Sequence, residues 1–306
     1  MTESVRLNSS TLGYTTLIGG LSFAEGPRWH EGRLYFSDMY AHRVVAVGMD
    51  GAAEVVAHVL EQPSGLGFLP DGRMLIASMK EKKILRREQD GTLVVHADLA
   101  ALAEWYVNDL LVDGVGRAWV GNFGFDLHGG AEACLTGLIV IEPDGTARVA
   151  AEGLGFPNGM ALTPDGKTLI VAETTMNRLS AFAVKDGKLG ERKTWAAFGD
   201  APTTTHVPDL LAKANVVPDG ICLDAEGAVW VADAMHGRVV RVAEGGAILE
   251  ELKPPGMGVF ACMLGGEDGR TLFICAAPTF EESVVTVERR GAILMTRVKA
   301  PRAGRP

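Results

Sequence analysis

One pattern recurs six times along the sequence and constrains the fold more than any other feature. Each copy begins with a segment that enters a strand, reaches a turn ending in glycine, and continues into a second, apolar strand. In four copies the turn glycine follows the second residue by seven positions. Units repeated in this way pack on their neighbours in a repeat architecture. The copies begin at Glu25, Ser64, Asn108, Asn158, Asp219 and Phe260.

The spacing of the copies predicts the kind of repeat. Successive copies start 39 to 61 residues apart, which leaves room for about four short strands each. Amphipathic helices are nearly absent, and only residues 98–105 and 208–214 are predicted as short helices in loops. We therefore expect an all-β chain, residues 1–306, that forms one six-bladed β-propeller. A parallel α/β fold would need helices between its strands, and the uniform repeat argues against two β-sandwiches.

The segment before the first copy has its own predicted role. Residues 14–18, Tyr-Thr-Thr-Leu-Ile, have strand character. We expect this segment to close the ring by joining the last blade, because only closure removes the exposed sheet edges.

Composition and charge narrow the classes of function. The net charge of −9 and pI near 5.3 argue against nucleic-acid binding, which needs a basic face. No run approaches the roughly 18 apolar residues of a membrane-spanning helix, and residues 1–6 lack the features of a signal peptide. We expect a cytoplasmic protein that acts on a small molecule, with no nucleic-acid or membrane partner. The sequence leaves the oligomeric state open.

Common catalytic and metal-binding motifs are missing from the sequence. There is no CxxC, HExxH or GxSxG, so zinc sites and a serine nucleophile elbow are not supported. Three of the four cysteines, Cys222, Cys262 and Cys275, lie in apolar runs and are predicted to be buried.

The first residues of the copies carry the polar chemistry. The first strand of each propeller blade lies nearest the central channel, so the residues that begin these strands meet at one end of it. Two carboxylates close together raise each other's pKa unless a cation lies between them. Oxygen-only ligands favour Ca²⁺, Mg²⁺ or Mn²⁺, although Asn-Gly and Asp-Gly are also common turn formers. Oxygen ligands are offered at four of the six positions, Glu25, Asn108, Asn158 and Asp219.

A second set of polar residues ends the second strands near the same mouth. These residues are candidates either for partners of the cation ligands or for strand-end turn formers. They are Asp38, Asn122, Glu173 and Asp233.

Four ordered segments resemble the signatures of the senescence-marker-protein-30, gluconolactonase and luciferin-regenerating-enzyme-like family. The resemblance extends from about residue 25 to residue 277. It implies a six-bladed propeller that binds one divalent cation, Ca²⁺ first, with Mg²⁺, Mn²⁺, Zn²⁺ or Fe²⁺ as alternatives, and that hydrolyses lactones. The segments are Glu25–Trp29, Asn108–Asp109, Pro157–Met160 and Pro218–Asp224.

The resemblance also implies roles for individual residues. Glu25, Asn158 and Asp219 match the metal ligands, and Asp219 also matches the proposed general base. Asn108 matches a residue that contacts substrate beside the metal. The cation would polarise the lactone carbonyl while Asp219 takes a proton from the attacking water.

The sequence departs from the family where substrate is expected to bind. Tyr106 stands where sugar lactonases often have arginine, and Asp126 is the only candidate acid in residues 121–128. Tyr106, Phe123 and Phe125 suit a flatter, less polar substrate, so a sugar lactone and an apolar or aromatic lactone both stay open. The predicted substrate contacts are Asn108, Tyr106, Phe123, Phe125 and Asp126, with Met176, His206, His236 and Met257 as further rim candidates.

Two other functions remain open from the sequence. One is a non-catalytic calcium-binding or scaffold propeller. The other is a different metal-dependent reaction in the same cavity, such as ester or phosphotriester hydrolysis or an isomerisation.

Overall fold

The computed structural model describes residues 13–306, in which the strands form six antiparallel sheets around a central channel. The first strand is β1 (Thr15–Leu21). Blade one contains β2 (Ala24–His30), β3 (Arg33–Asp38), β4 (Arg43–Val47) and β5 (Ala53–His58). Blade two contains β6 (Pro63–Phe68), β7 (Met74–Ser78), β8 (Lys83–Arg87) and β9 (Leu93–Asp98). Blade three contains β10 (Val107–Val112), β11 (Ala118–Asn122), β12 (Thr136–Ile141) and β13 (Ala147–Leu154).

The remaining blades follow the same plan. Blade four contains β14 (Pro157–Leu162), β15 (Thr168–Glu173), β16 (Arg178–Lys185), β17 (Lys188–Leu189) and β18 (Lys193–Ala197). Blade five contains β19 (Pro218–Leu223), β20 (Val229–Asp233), β21 (Arg238–Val242) and β22 (Ile248–Leu252). Blade six contains β23 (Gly258–Gly265), β24 (Thr271–Ala277) and β25 (Gly291–Arg297), and β1 pairs antiparallel with β25 as its fourth strand. The predicted six-bladed, all-β fold is confirmed.

The two helices of the described residues lie in loops. α1 (Val207–Lys213) precedes blade five, one residue from the predicted helix, and α2 (Glu282–Glu288) lies between β24 and β25. The predicted helix over 98–105 is wrong. The segment makes a single turn, in which the Ala103 N–H donates to the carbonyl of Leu99 at 2.8 Å. α2 was not predicted because its valines disfavour an isolated helix.

The first strands of the blades form the wall of the channel. The strands β2, β6, β10, β14, β19 and β23 contact one another in a closed ring. Strands β10 and β14 are buried along their whole length, because each packs against a neighbouring blade on both faces. The outer strand β5 is mostly exposed. The predicted burial of Cys222, Cys262 and Cys275 is confirmed.

Two observations concern the surroundings of the protein. Within the described residues, no helix is long and apolar enough to cross a membrane. The residues that carry the localisation prediction, 1–6, lie outside the described part of the chain.

Candidate functional site

The four predicted oxygen ligands occupy the same position in four blades. Each is the second residue of an inner strand, Glu25 in β2, Asn108 in β10, Asn158 in β14 and Asp219 in β19. A shift in strand register follows this position in every blade. Such irregularities re-aim side chains. All four side chains line one cavity at the end of the channel.

The next position along each inner strand is small, because neighbouring blades approach closely there. A Cβ on Gly65 would lie 2.3 Å from the backbone nitrogen of Leu110, and one on Gly159 would lie 2.4 Å from the carbonyl oxygen of Asp219. The residues at this position are Gly26, Gly65, Asp109, Gly159, Gly220 and Ala261. Asp109 is therefore the one large, charged member of the set.

A chain of hydrogen bonds links the polar side chains of three blades. Ser64 Oγ donates to Asn108 Oδ1 at 2.9 Å, and Asn108 Nδ2 donates to Asn158 Oδ1 at 2.8 Å. Asn158 Nδ2 then donates to Thr174 Oγ1 at 3.1 Å, and Thr174 Oγ1 donates to the carbonyl of Pro218 at 2.8 Å. Because the hydroxyl proton of Thr174 is committed to that carbonyl, its oxygen accepts from Asn158. This fixes the Asn158 amide with its oxygen toward Asn108.

The two carboxyl groups at the bottom of the cavity favour their protonated forms. Burial, followed by repulsion from Asp219 and then Asp109, raises the pKa of Glu25 well above its usual value. Burial and repulsion from Asp109 raise the pKa of Asp219 to about 8, although hydrogen bonds from Asn158 and the Gly220 N–H oppose the shift. A bound cation would lower the pKa of both carboxyl groups, because its positive charge offsets the cost of burial and the repulsion between the carboxylates.

A buried ion pair lies beside these carboxyl groups. Arg28 Nη2 contacts Asp109 Oδ1 at 2.6 Å, and the exposed fractions of the two side chains are only 6% and 12%. The Leu110 N–H also donates to Asp109 Oδ1 at 2.8 Å. Both residues stand in segments that carry the family resemblance, but the sequence analysis assigned a role to neither. The signal for Asp109 was its charge at a position that is otherwise small.

The donor set fits a hard divalent cation. It combines the carboxylates of Glu25 and Asp219 with the amide oxygens of Asn158 and Asn108 in one enclosed place. Across residues 13–306, no group of three or more His, Cys, Asp or Glu is arranged to hold a metal. A cation at this position would therefore depend on the mixture of carboxylate and amide oxygens, the ligand type that Ca²⁺ accepts.

The carboxylates that end three of the second strands hold the segments leading to the ligands. Glu173 Oε2 accepts from the Gly155 N–H at 2.9 Å, three residues before Asn158. Arg178, at the start of the next strand, donates to Glu173 Oε1 at 2.8 Å. The Glu173 side chain is fully buried. It therefore fixes the approach to β14 through the backbone.

The same arrangement recurs before Glu25 and Asp219. In blade one, Asp38 accepts from the backbone N–H groups of Ser22 and Phe23 at 2.9 and 3.1 Å and from Arg43. In blade five, Asp233 accepts from the Val217 N–H at 3.0 Å and from Arg238 at 2.8 Å. Asn122 instead bonds within its own blade, to Gly137 and Thr136. Asp38, Glu173 and Asp233 thus hold the backbone just before the three predicted metal ligands.

An apolar cavity of about 120 Å³ lies above the four predicted oxygen ligands. Aromatic pairs form much of its wall. The rings of Phe123 and Phe156 lie 4.4 Å apart, and those of Phe23 and Phe260 lie 4.6 Å apart. Residues of α1, Val207 and Leu211, also line the cavity.

Of the predicted aromatic and acidic substrate contacts, only Phe123 lines this cavity. Tyr106 packs beside Phe123 and stacks on Trp105, with ring centroids 6.3 and 4.9 Å apart. Phe125 is buried in the same apolar cluster. The carboxylate of Asp126 accepts the Gly129 N–H at 2.7 Å, so it serves its own loop.

The further rim candidates also lie away from the cavity wall. His206 pairs with Asp209 on α1, and His236 bonds Asp233. Met176 and Met257 do not contribute to the lining. Met79 and His128, which no sequence pattern predicted as contacts, line the cavity instead. Loop side chains adjacent in sequence project in different directions, which no repeat pattern encodes.

Known proteins with related sequences include two sugar lactonases. The chain is 28% identical over 255 residues to a pentonolactonase of Haloferax volcanii, covering 83% of this chain and 81% of the relative. It is 26% identical over 290 residues to a 6-deoxy-6-sulfogluconolactonase of Pseudomonas putida, covering 92% and 93%.

Solved structures share the fold. A gluconolactonase of Xanthomonas campestris superposes with a TM-score of 0.72 at 24% identity, over 94% of this chain and 89% of that one. A calcium-binding protein, regucalcin, of Agrobacterium tumefaciens superposes with a TM-score of 0.77 at 19% identity, over 96% and 97%. The family model described as the SMP-30/gluconolactonase/LRE-like region matches residues 23–278. This chain therefore belongs to the SMP-30/gluconolactonase/LRE-like family.

Proposed function

We propose that the protein is a divalent-cation-dependent hydrolase that opens a lactone ring. The observation that carries the proposal is the pair of half-buried carboxyl groups, Glu25 and Asp219, which share the bottom of an apolar cavity with two amide side chains. The lactonase names of the relatives support the same reaction class.

The cation site comprises Glu25, Asn158 and Asp219, with Asn108 beside it. When bound, a divalent cation polarises a carbonyl oxygen and stabilises the negative charge that develops on it. Ca²⁺ is the first candidate because the ligands are all oxygens, and Mg²⁺, Mn²⁺, Zn²⁺ and Fe²⁺ are the alternatives.

Asp219 is the proposed general base. One of its carboxylate oxygens would hold the cation, and the other would accept a proton from the water that attacks the ester carbon. The proton would then pass to the ring oxygen as its bond to the ester carbon breaks, which leaves an open-chain hydroxy acid. Hydrogen bonding from Asn158 and the Gly220 N–H favours the ionised form of Asp219, which is the form that accepts a proton.

Asn108 is proposed to orient the substrate. Its amide is held on both sides, by Ser64 and by Asn158. A rigid amide beside the reacting carbonyl positions the ring without reorganisation during the reaction.

A lactone hydrolysis assay with a pH indicator tests this proposal. Wild type, chelator-stripped protein and Asp219→Asn would be compared on sugar, alkyl and aromatic lactones, with each divalent cation added back separately. We expect turnover to vanish on stripping, to return with a cation, and to fall by at least about 100-fold in Asp219→Asn, because general-base catalysis alone contributes about that much.

Asp113→Asn is the matched control. Asp113 is a buried aspartate outside the cavity, and it caps the hairpin turn after β10, where it accepts from the Val115 N–H at 2.9 Å. Its replacement is expected to leave cation dependence unchanged. Turnover that ignores both chelator and Asp219→Asn would contradict the proposal. Cation binding without turnover of any lactone would favour the binding-protein alternative or another reaction, which phosphotriester and isomerisation assays separate.

A further inference from the structure

We propose that the preferred substrate is an apolar lactone, with an alkyl or aryl substituent on the ring, rather than a polyhydroxylated sugar lactone. This inference rests on the proposed function and names its substrate class. The chemistry of the cavity wall carries it.

The wall above the predicted oxygen ligands is mostly apolar. Its side chains come from blades one, two, three, four and six, so they surround a ligand rather than forming a patch on one side. They are buried against one another in a single cluster and still line the cavity. The main members are Phe23, Met39, Met79, Phe123, Phe156 and Phe260.

The polar groups of the wall offer little to a sugar. Thr174 donates its hydroxyl proton to the Pro218 carbonyl at 2.8 Å, and Tyr40 donates its own to the Phe280 carbonyl at 3.2 Å. Beyond the oxygen ligands, only His128 and Thr175 add further polar side chains. No lysine or arginine of residues 13–306 lines the cavity.

Hydroxyl groups of a bound sugar would therefore lie against carbon. A hydroxyl removed from water without a partner loses its hydrogen bonds and weakens binding. In a hydrophobic pocket, one hydroxyl added to a substrate of the same shape lowers kcat/KM by about 100-fold. A sugar lactone carries several, and His128 and Thr175 can serve only some of them.

The shape of the wall suits alkyl as well as aryl groups. Met39 and Met79 contribute flexible thioether side chains, which adapt to irregular ligands. Val207 and Leu211 of α1 add an aliphatic side to the cavity. The edge-to-face pair of Phe123 and Phe156 presents ring edges and faces to a flat ligand.

The test compares kcat/KM for three six-membered lactones on the cation-loaded enzyme. The probes are δ-decalactone, dihydrocoumarin and δ-gluconolactone, each corrected for its own rate of hydroxide-catalysed hydrolysis. We expect the corrected values for the first two to exceed that for δ-gluconolactone by at least about 100-fold. A corrected value for δ-gluconolactone equal to or above the others would overturn the substrate class while leaving lactone hydrolysis intact. Hydrolysis of none of the three would overturn the proposed function itself.

A pair of matched variants tests the role of the wall. Met74 begins β7 and Met79 directly follows its last residue. Both side chains are buried, with 4% and 2% exposure. Only Met79 lines the cavity. We expect Met79→Gln to lower kcat/KM for δ-decalactone by about tenfold and to spare δ-gluconolactone, because it buries an amide against the alkyl group. Met74→Gln should leave the ratio of the two substrates unchanged. Equal ratios in both variants would contradict the inference.

Discussion

The Arg28–Asp109 ion pair beside the oxygen ligands makes the electrostatic argument testable. Replacing Asp109 by Asn leaves the Arg28 guanidinium buried without its counterion, which is now 2.6 Å away. Removing one partner of a buried pair costs about 3–5 kcal/mol. Asp109 retains 12% side-chain exposure, which places the expected loss near the lower end, at about 3 kcal/mol.

This loss of unfolding free energy corresponds to a lower melting temperature. An unfolding entropy of about 2.1 cal/mol/K per residue gives about 0.6 kcal/mol/K for 306 residues. We therefore expect the Tm of Asp109→Asn to fall by about 5 °C. Loss of the Asp109 negative charge should also weaken cation binding, because Asp109 lies close enough to Glu25 and Asp219 to raise the pKa of both carboxyl groups.

The double variant Arg28→Met, Asp109→Asn separates charge from packing. It removes both charges at once, so we expect it to melt above Asp109→Asn and to recover most of the cation affinity. Calorimetric melts and cation titrations of wild type, Arg28→Met, Asp109→Asn and the double variant form a double-mutant cycle. Additive losses in stability, or a double variant with weaker cation binding than Asp109→Asn, would refute the reasoning.

Three further predictions concern the groups around the site. Glu173→Gln should lower cation affinity, because it weakens the hydrogen bond that holds Gly155 and so loosens the segment leading to Asn158. Cation titration of the variant checks this prediction. Unchanged affinity would show that Glu173 has a structural role alone. Gly159→Ala should lose cation binding, because its Cβ would lie 2.4 Å from the Asp219 carbonyl, whereas Gly114→Ala, whose nearest contact lies at 3.8 Å, should not. In chelator-stripped protein the pKa of Asp219 is raised to about 8, above the unfolded value of about 3.9. The folded state therefore binds more protons between these values, so the stripped protein should lose stability as pH rises from about 4 to 8. Melts with and without Ca²⁺ check this, and the cation should stabilise most at the upper end of that range.

The sequence predicts the repeat well because every blade packs its inner strand against the inner strands of the two neighbouring blades. The turn glycines and apolar second strands recur at nearly constant spacing, and they fix six sheets around a channel. Helix α2 was not predicted, because its seven residues show no amphipathic pattern. Residues 98–105 looked helical but complete only one turn, since the Asp98 carboxylate accepts the Ala100 N–H and turns the chain locally.

The site divides in a similar way. Glu25, Asn108, Asn158 and Asp219 could be found because they stand at equivalent positions of a repeat, which the fold brings together. The cavity wall could not, because it is built by loops whose side-chain directions follow no period. The pairing of Arg28 with Asp109 spans 81 residues of sequence, so only the closed ring reveals it.

Cation titration of chelator-stripped protein by calorimetry tests the central claim most directly. Wild type, Glu25→Gln and Asp219→Asn would be titrated with Ca²⁺, then with the other divalent cations, after circular dichroism shows that each is folded. We expect one cation site in wild type and loss of that site in both variants. Wild-type protein that binds no divalent cation, or folded variants that bind as tightly as wild type, would contradict it.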